Sequence, residues 1–292
     1  MRSAVLKGKK FHFSSWIKRN YGQVILNVVL MVLLLLCLFP FYIMVIDSFK
    51  TPNDYMNNTI GWPAEFYTNF YQFAWLAVRS YILNTLIVAV FEIFGSLALT
   101  SMAAYGFSRY NFKGKEALFM LILALMMIPG ILSLIPQYAM INTFGLMGNF
   151  AGVILPTIAS SLPFGIFLLR TFFSGIPSDL YEAAALDGAS NLRRYFIIAL
   201  PLSIPILCTM GLTSLMTAWN DLVWPRLVLL NAEELYTISV GIMELTNSYG
   251  NESLGMGVPL AAYVIVSIPL IVVFFFTSKQ FISGLTSGAI KM

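Results

Sequence analysis

The chain is short of charge and nearly without histidine. Only 10% of its 292 residues are Asp, Glu, Lys or Arg, while 59% are hydrophobic. No soluble domain of this size needs so much apolar surface, so the class is a polytopic membrane protein. A lone histidine, His12, lying outside the apolar runs, removes most triad and zinc hypotheses and does not supply the catalytic cluster that a membrane-embedded enzyme needs. The two cysteines, Cys37 and Cys208, both fall inside apolar runs and read as small buried hydrophobes, not as a disulfide or metal pair. A Walker A loop is also missing. Gly106 and Gly114-Lys115 have the wrong spacing, and Glu116 stands where that loop needs Ser or Thr, so this chain is expected neither to hydrolyse ATP nor to bind a metal or cofactor. Acids are absent from residues 1–20, which carry Arg2, Lys7, Lys9, Lys10, Lys18 and Arg19. That segment reads as a solvated positive anchor or, with Phe11, Phe13 and Trp16, as a short helix in the headgroup layer.

What is present is a series of apolar runs, each near the roughly 20 residues that cross about 30 Å of hydrocarbon. They cover residues 24–46, 81–105, 117–139, 150–173, 201–219 and 257–278. The first run is too long for a signal sequence and lacks a small-residue cleavage site, so it is read as retained. Pro129-Gly130 and Pro136 should kink or break the third run, and Pro156 and Pro163 lie inside the fourth. Those prolines mark either flexible gate helices or tolerated kinks. Six spans put both termini on one side, and that side collects fourteen of the 17 Lys and Arg residues. The positive-inside rule then places both termini in the cytoplasm. The net charge of +4 follows from this topology, and nucleic acid is not an expected partner.

Between the fourth and fifth runs lies a polar island, residues 174–200, containing Glu182-Ala183-Ala184-Ala185-Leu186-Asp187-Gly188 and then Ile198-Ala199-Leu200-Pro201. Pro177-Ser178-Asp179 reads as a helix start, with Ser178 as the cap and Asp179 at the positive end of the dipole. Asp187-Gly188 ends that helix, since glycine takes a left-handed turn at little cost. Ser190-Asn191 caps a second helix, which Pro201 interrupts or converts into the next span. The expectation is a helix-turn-helix beside the membrane whose alanines offer a smooth face to another protein.

The spacing E-A-A, three residues, Gly, nine residues, I-x-L-P resembles the signature loop of permease subunits in binding-protein-dependent ABC importers. Every fixed position is present: Glu182, Ala183, Ala184, Gly188, Ile198, Leu200 and Pro201. Further stretches look like the carbohydrate branch: Phe49-Lys50-Thr51-Pro52, Ala218-Trp219-Asn220-Asp221 with Trp224-Pro225, and Phe281 to Gly288. From about Leu26 onward the chain resembles the smaller permease subunit of maltose-type sugar importers. The resemblance implies an all-α, six-helix type I importer fold of the bacterial cytoplasmic membrane. It also implies a second, homologous permease, a pair of ATPase subunits carrying ATP and Mg, and an extracytoplasmic solute-binding protein. Residues 182–188 would be the coupling helix seated in the ATPase, with Asp187 alongside the fixed positions, and the C-terminal tail would approach the ATPase.

The chain is thus read as a basic segment 1–23, a first span 24–46, an extracytoplasmic loop 47–79, a five-helix permease core 80–279 holding the coupling loop 174–200, and a tail 280–292. Glu92 is the one acid well inside a span, where a charge costs about 2.5–3.5 kcal/mol. It serves either as a structural hydrogen bond within the bundle or as part of the substrate path. Trp219 and Trp224, with Asn220 and Asp221, combine flat apolar faces with hydrogen-bonding groups suited to a sugar, or they belong to the interfacial belt. A secondary transporter would show inverted repeats or several midplane ionisable groups, and neither is visible. The expected cargo is an oligosaccharide, with glycerol phosphate or another polyol as the alternative, since glycerol-phosphate importers share much of this pattern.

Overall fold

The computed structural model describes residues 21–249 and 255–289, with side chains as far as residue 278, and every regular element among them is helical. The basic anchor with His12 lies outside the described residues. The first run forms α1, Tyr21–Asp47. It meets the rest of the chain through Ile46 and Asp47 at its end and through the last helix. Cys37 is consequently exposed on an apolar outer surface, not buried in the protein as expected. α2 is the short helix Pro52–Asn57, started by Thr51, whose side chain accepts from the Asp54 N–H.

α3 runs without a break from Asn69 to Arg109, 41 residues. It starts within the expected extracytoplasmic loop 47–79, whose last eleven residues are therefore helical. Hydropathy hid this extension because Gln72, Arg79 and Ser80 lie among its apolar residues. Phe70, Ala74 and Val78 nonetheless recur every fourth residue, the spacing of one helix face, and are fully buried against Val258, Ala261 and Ala262. At 1.5 Å per residue α3 is about 60 Å long, roughly twice the hydrocarbon thickness.

The third run is broken where Pro129-Gly130 predicts. α4, Lys115–Leu125, and α5, Gly130–Thr143, meet at 95°, while Pro136 stays inside α5. α6, Phe150–Ser174, lies along α3 with small residues at the crossing. A Cβ on Gly165 would sit 2.5 Å from Thr100, and one on Gly95 2.4 Å from Ile158, so the two backbones approach closely.

α7, Ser178–Leu186, and α8, Asn191–Leu202, form the hairpin of the polar island, and α8 joins α9, Ile204–Asn220, at a 75° bend. Then come α10, Val223–Val228, a 3₁₀ turn at Glu233–Leu235, α11, Ile238–Tyr249, and α12, Gly257–Ala289. Among the described residues, four unbroken helices and two bent pairs make up to six crossings. α12 carries the helix through Phe281 to Gly288, where a separate tail was expected.

The two ends of the bundle are built differently. At one end α10, α11 and their connections fold onto α3. Asn84 Nδ2 donates to the carbonyls of Glu234 and Tyr236, at 2.8 and 3.0 Å, and the Ile238 N–H donates to Thr85 Oγ1 at 2.8 Å. The end of α1 closes the same region: Lys50, 1% exposed, pairs with Asp47 at 2.7 Å and donates to the Asn58 carbonyl. At the opposite end, the last turns of α3 and α6 carry the hairpin.

Candidate functional site

α7 starts at Ser178 with Pro177 as its cap, and no side chain caps it. The Ser178 cap of the sequence reading is thus displaced by one residue, since Pro177 supplies the extended φ and ψ of a cap position. Asp179 does sit in the first turn, where the dipole favours a negative charge. The far end of α7 behaves as predicted. Gly188 has φ +76°, its N–H donates to the Ala185 carbonyl at 3.0 Å, and the Ala189 N–H reaches back to Ala184 at 2.9 Å. This pair of bonds is the Schellman closure, and it needs the left-handed residue at Gly188. Ser190 then caps α8 by accepting from the Arg193 N–H.

α8 does not stop at Pro201. Tyr195–Ala199 widens into a π turn, in which the Leu200 N–H bonds Tyr195. A proline at 201 removes the donor that would bind Ile197 and crowds that carbonyl, and the wide turn accommodates it. The direction changes at Ser203, which is fully buried and bonds the Ala199 and Leu200 carbonyls through its hydroxyl. Ile198, Leu200 and Pro201 thus belong to the bent root that joins the hairpin to α9.

The hairpin has a buried root and a bare tip. Glu182, Ala183, Ala185, Asp187 and Gly188 are exposed and Ala184 is half-buried. Leu186, which the sequence reading passed over, is 91% exposed at the tip. Below them Tyr181 and Tyr195 are buried with Tyr105, Leu169, Phe173 and Ile176. Tyr195 shares a 2.7 Å hydrogen bond with Ser101 Oγ, and Tyr105 donates to the Asn191 carbonyl at 3.2 Å. Arg109, at the end of α3, donates through Nη2 to the carbonyls of Phe173 and Ile176, at 2.6 and 2.8 Å. Its guanidinium carbon also lies 3.8 Å from the centroid of the Tyr181 ring. Burial pushes the Tyr181 hydroxyl above its ordinary value and the Arg109 charge works against it, so the phenol stays neutral at physiological pH. In the sequence Arg109 counted only as one more cytoplasmic charge; nothing in its spacing gives the aromatic it covers.

The other candidates lie away from the hairpin, on α3 and around the end of α9. Glu92 is 4% exposed and faces protein, with its Oε2 buried and without a hydrogen-bond partner among the described residues, while Thr157 of α6 donates to the Val153 carbonyl. Trp219, 4% exposed, packs among α3, α11 and α12 residues, and Trp224 is buried in the neighbouring cluster with Val228 and Val240. Both indoles are thus covered by the chain's own side chains. Asp221 accepts from the Trp224 N–H and so starts α10. Asn220 is exposed, with its amide donating to the Met216 carbonyl one turn back.

Comparison with known proteins gives one consistent result. Residues 96–286 match the family model described as "Binding-protein-dependent transport system inner membrane component". The chain is 32% identical over 271 residues to the probable ABC transporter permease protein YurM of Bacillus subtilis (strain 168), covering 92% of this chain and 89% of that one. It is 30% identical over 275 residues to the arabinooligosaccharides transport system permease protein AraQ of the same strain, covering 92% and 96%. Among solved structures, a chain of a bacterial ABC transporter involved in the import of the acidic polysaccharide alginate superposes with a TM-score of 0.76. That pair covers 90% of this chain and 96% of the other, at 22% identity, and the likeness is one of fold.

Proposed function

This chain belongs to the family of binding-protein-dependent transport system inner membrane components, multi-pass proteins of the cytoplasmic membrane, and from that membership we propose that it moves an oligosaccharide across the bilayer under the drive of a separate ATPase. A second, homologous permease completes the pathway. A solute-binding protein delivers the sugar at the end built by α10 and α11, and two ATPase subunits holding ATP and Mg engage the other end. The observation that carries this reading is the hairpin: an exposed Glu182–Gly188 tip on a root of buried aromatic residues. A tip of small residues can be gripped closely, and a packed root passes rigid-body shifts onward instead of absorbing them. A carbohydrate cargo is supported by the arabino-oligosaccharide relative and by the sugar-branch stretches at Phe49–Pro52 and Ala218–Asp221.

The test is complementation of a strain lacking this chain. The strain should lose ATP-dependent uptake of one oligosaccharide family, and the wild-type chain should restore it. Glu182→Lys reverses a charge on the tip. Gly188→Val forces a β-branched residue into a left-handed turn at about 1–2 kcal/mol, too little to unfold the bundle but enough to swing α7. Both variants should insert and pair with the partner permease, yet lose ATPase binding or hydrolyse ATP without transport, whereas Glu234→Lys on the opposite end should do neither. Wild-type uptake by both hairpin variants would overturn the coupling role. Loss of glycerol-phosphate uptake in place of a sugar would overturn the cargo.

A further inference from the structure

The geometry points to Arg109 as the positioning residue that makes α3, α6 and the coupling hairpin move as one body, an inference that rests on the hairpin being the ATPase contact. Arg109 is the last residue of α3. One of its nitrogens bonds the Phe173 carbonyl, in the last turn of α6, and the Ile176 carbonyl, in the link to α7. Its flat face lies 3.8 Å from the Tyr181 ring centroid, inside α7. Three elements therefore meet on a single guanidinium. Among the described residues no carboxylate pairs with it, so its charge is held by carbonyls at the negative end of α6 and by an aromatic face.

The chemistry is particular to arginine. A planar fork can bond carbonyls in its plane while its face covers a ring, and an ammonium cannot do both in one pose. The alternative reading is a plain helix-end fastening. Arg170 supplies the internal comparison: it too covers an aromatic ring, Phe119 at 3.7 Å, and pairs with Glu116 at 2.6 Å. It ties α6 to α4 at the same end of the bundle but has no such contact with the hairpin. If fastening alone mattered, the two arginines would be equivalent.

The measurement is the number of sugars transported per ATP hydrolysed by the reconstituted complex of permeases, ATPase and binding protein. Membrane abundance and ATPase co-purification are followed in parallel. Arg109→Lys, Arg109→Gln and Tyr181→Leu should each lower that ratio about tenfold or more while the ATPase still co-purifies. The double variant Arg109→Gln with Tyr181→Leu should be no worse than either single. Arg170→Gln should leave the ratio at the wild-type value. A normal ratio in Arg109→Lys and Tyr181→Leu, whatever their abundance, would overturn the inference, and so would an equal loss in Arg170→Gln. Gly188→Val and Glu182→Lys serve as the reference: if they too transport normally, the hairpin reading has failed, and if they alone uncouple, only the role of Arg109 has.

Discussion

At the scale of single residues, the least exposed charge among the described residues is Lys50, sealed with Asp47 under the loop that follows α1. Taking one partner away leaves the other as an uncompensated buried charge, a loss of about 3–5 kcal/mol, while replacing both is far milder. Lys50→Met should therefore cut the amount of monodisperse protein recovered in detergent several-fold, and adding Asp47→Asn should restore most of it. Equal losses in the single and double variants would mean that the ion pair is not what Lys50 contributes. The sequence marked Phe49-Lys50-Thr51-Pro52 as a family-like stretch but could not supply this reason. Burial of Lys50 depends on Asn58 and on a chain that folds back to bond Tyr67 to Phe49. Gly188 was legible, because a left-handed turn is a local property. Arg109 and Trp219 were not, since each is defined by what lies across from it: a tyrosine 72 positions onward in one case and the packing of three helices in the other.

At the scale of elements, length and breaks separate what composition reveals from what packing decides. Pro129-Gly130 declares the 95° break in its own residues, whereas the 75° bend at Ser203 falls two residues beyond the proline that precedes it. Nor does hydropathy find the first turns of α3, where the informative signal is the four-residue spacing of Phe70, Ala74 and Val78. That stretch meets glycines on its neighbours. A Cβ on Gly257 would lie 2.2 Å from the Phe70 ring, and one on Gly241 2.2 Å from the Tyr81 ring. Gly241→Val and Gly257→Val should thus lower the thermal midpoint of the purified protein by several degrees or abolish its accumulation, as overpacking costs about 1–3 kcal/mol even where the neighbours can shift. Gly106→Ala, with nothing within 4 Å of the added carbon, should melt at or above the wild-type temperature because alanine favours helix by about 1 kcal/mol. If all three variants melt alike, the close approach of α3 to α11 and α12 is wrong.

At the scale of the whole molecule, the prediction concerns which way round it sits. Lysine and arginine crowd the hairpin side, so that side should face the cytoplasm. With Cys37 and Cys208 replaced, single cysteines at Lys113 and Arg193 should resist an impermeant thiol reagent in intact cells, while those at Thr59 and Asn247 should react. Reaction at position 193 from outside would reverse the orientation and remove the ATPase from the hairpin. The two faces so distinguished are joined by α3, the one span-length helix among those described without an internal proline. It holds the loops of one face through Asn84 and Thr85, and the hairpin of the other through Ser101, Tyr105 and Arg109. A rod with no joint has one tilt, shared by both its ends. Whatever binds one face more tightly in a given tilt must, by thermodynamic reciprocity, strengthen by the same factor the binding of anything at the other face that prefers that tilt.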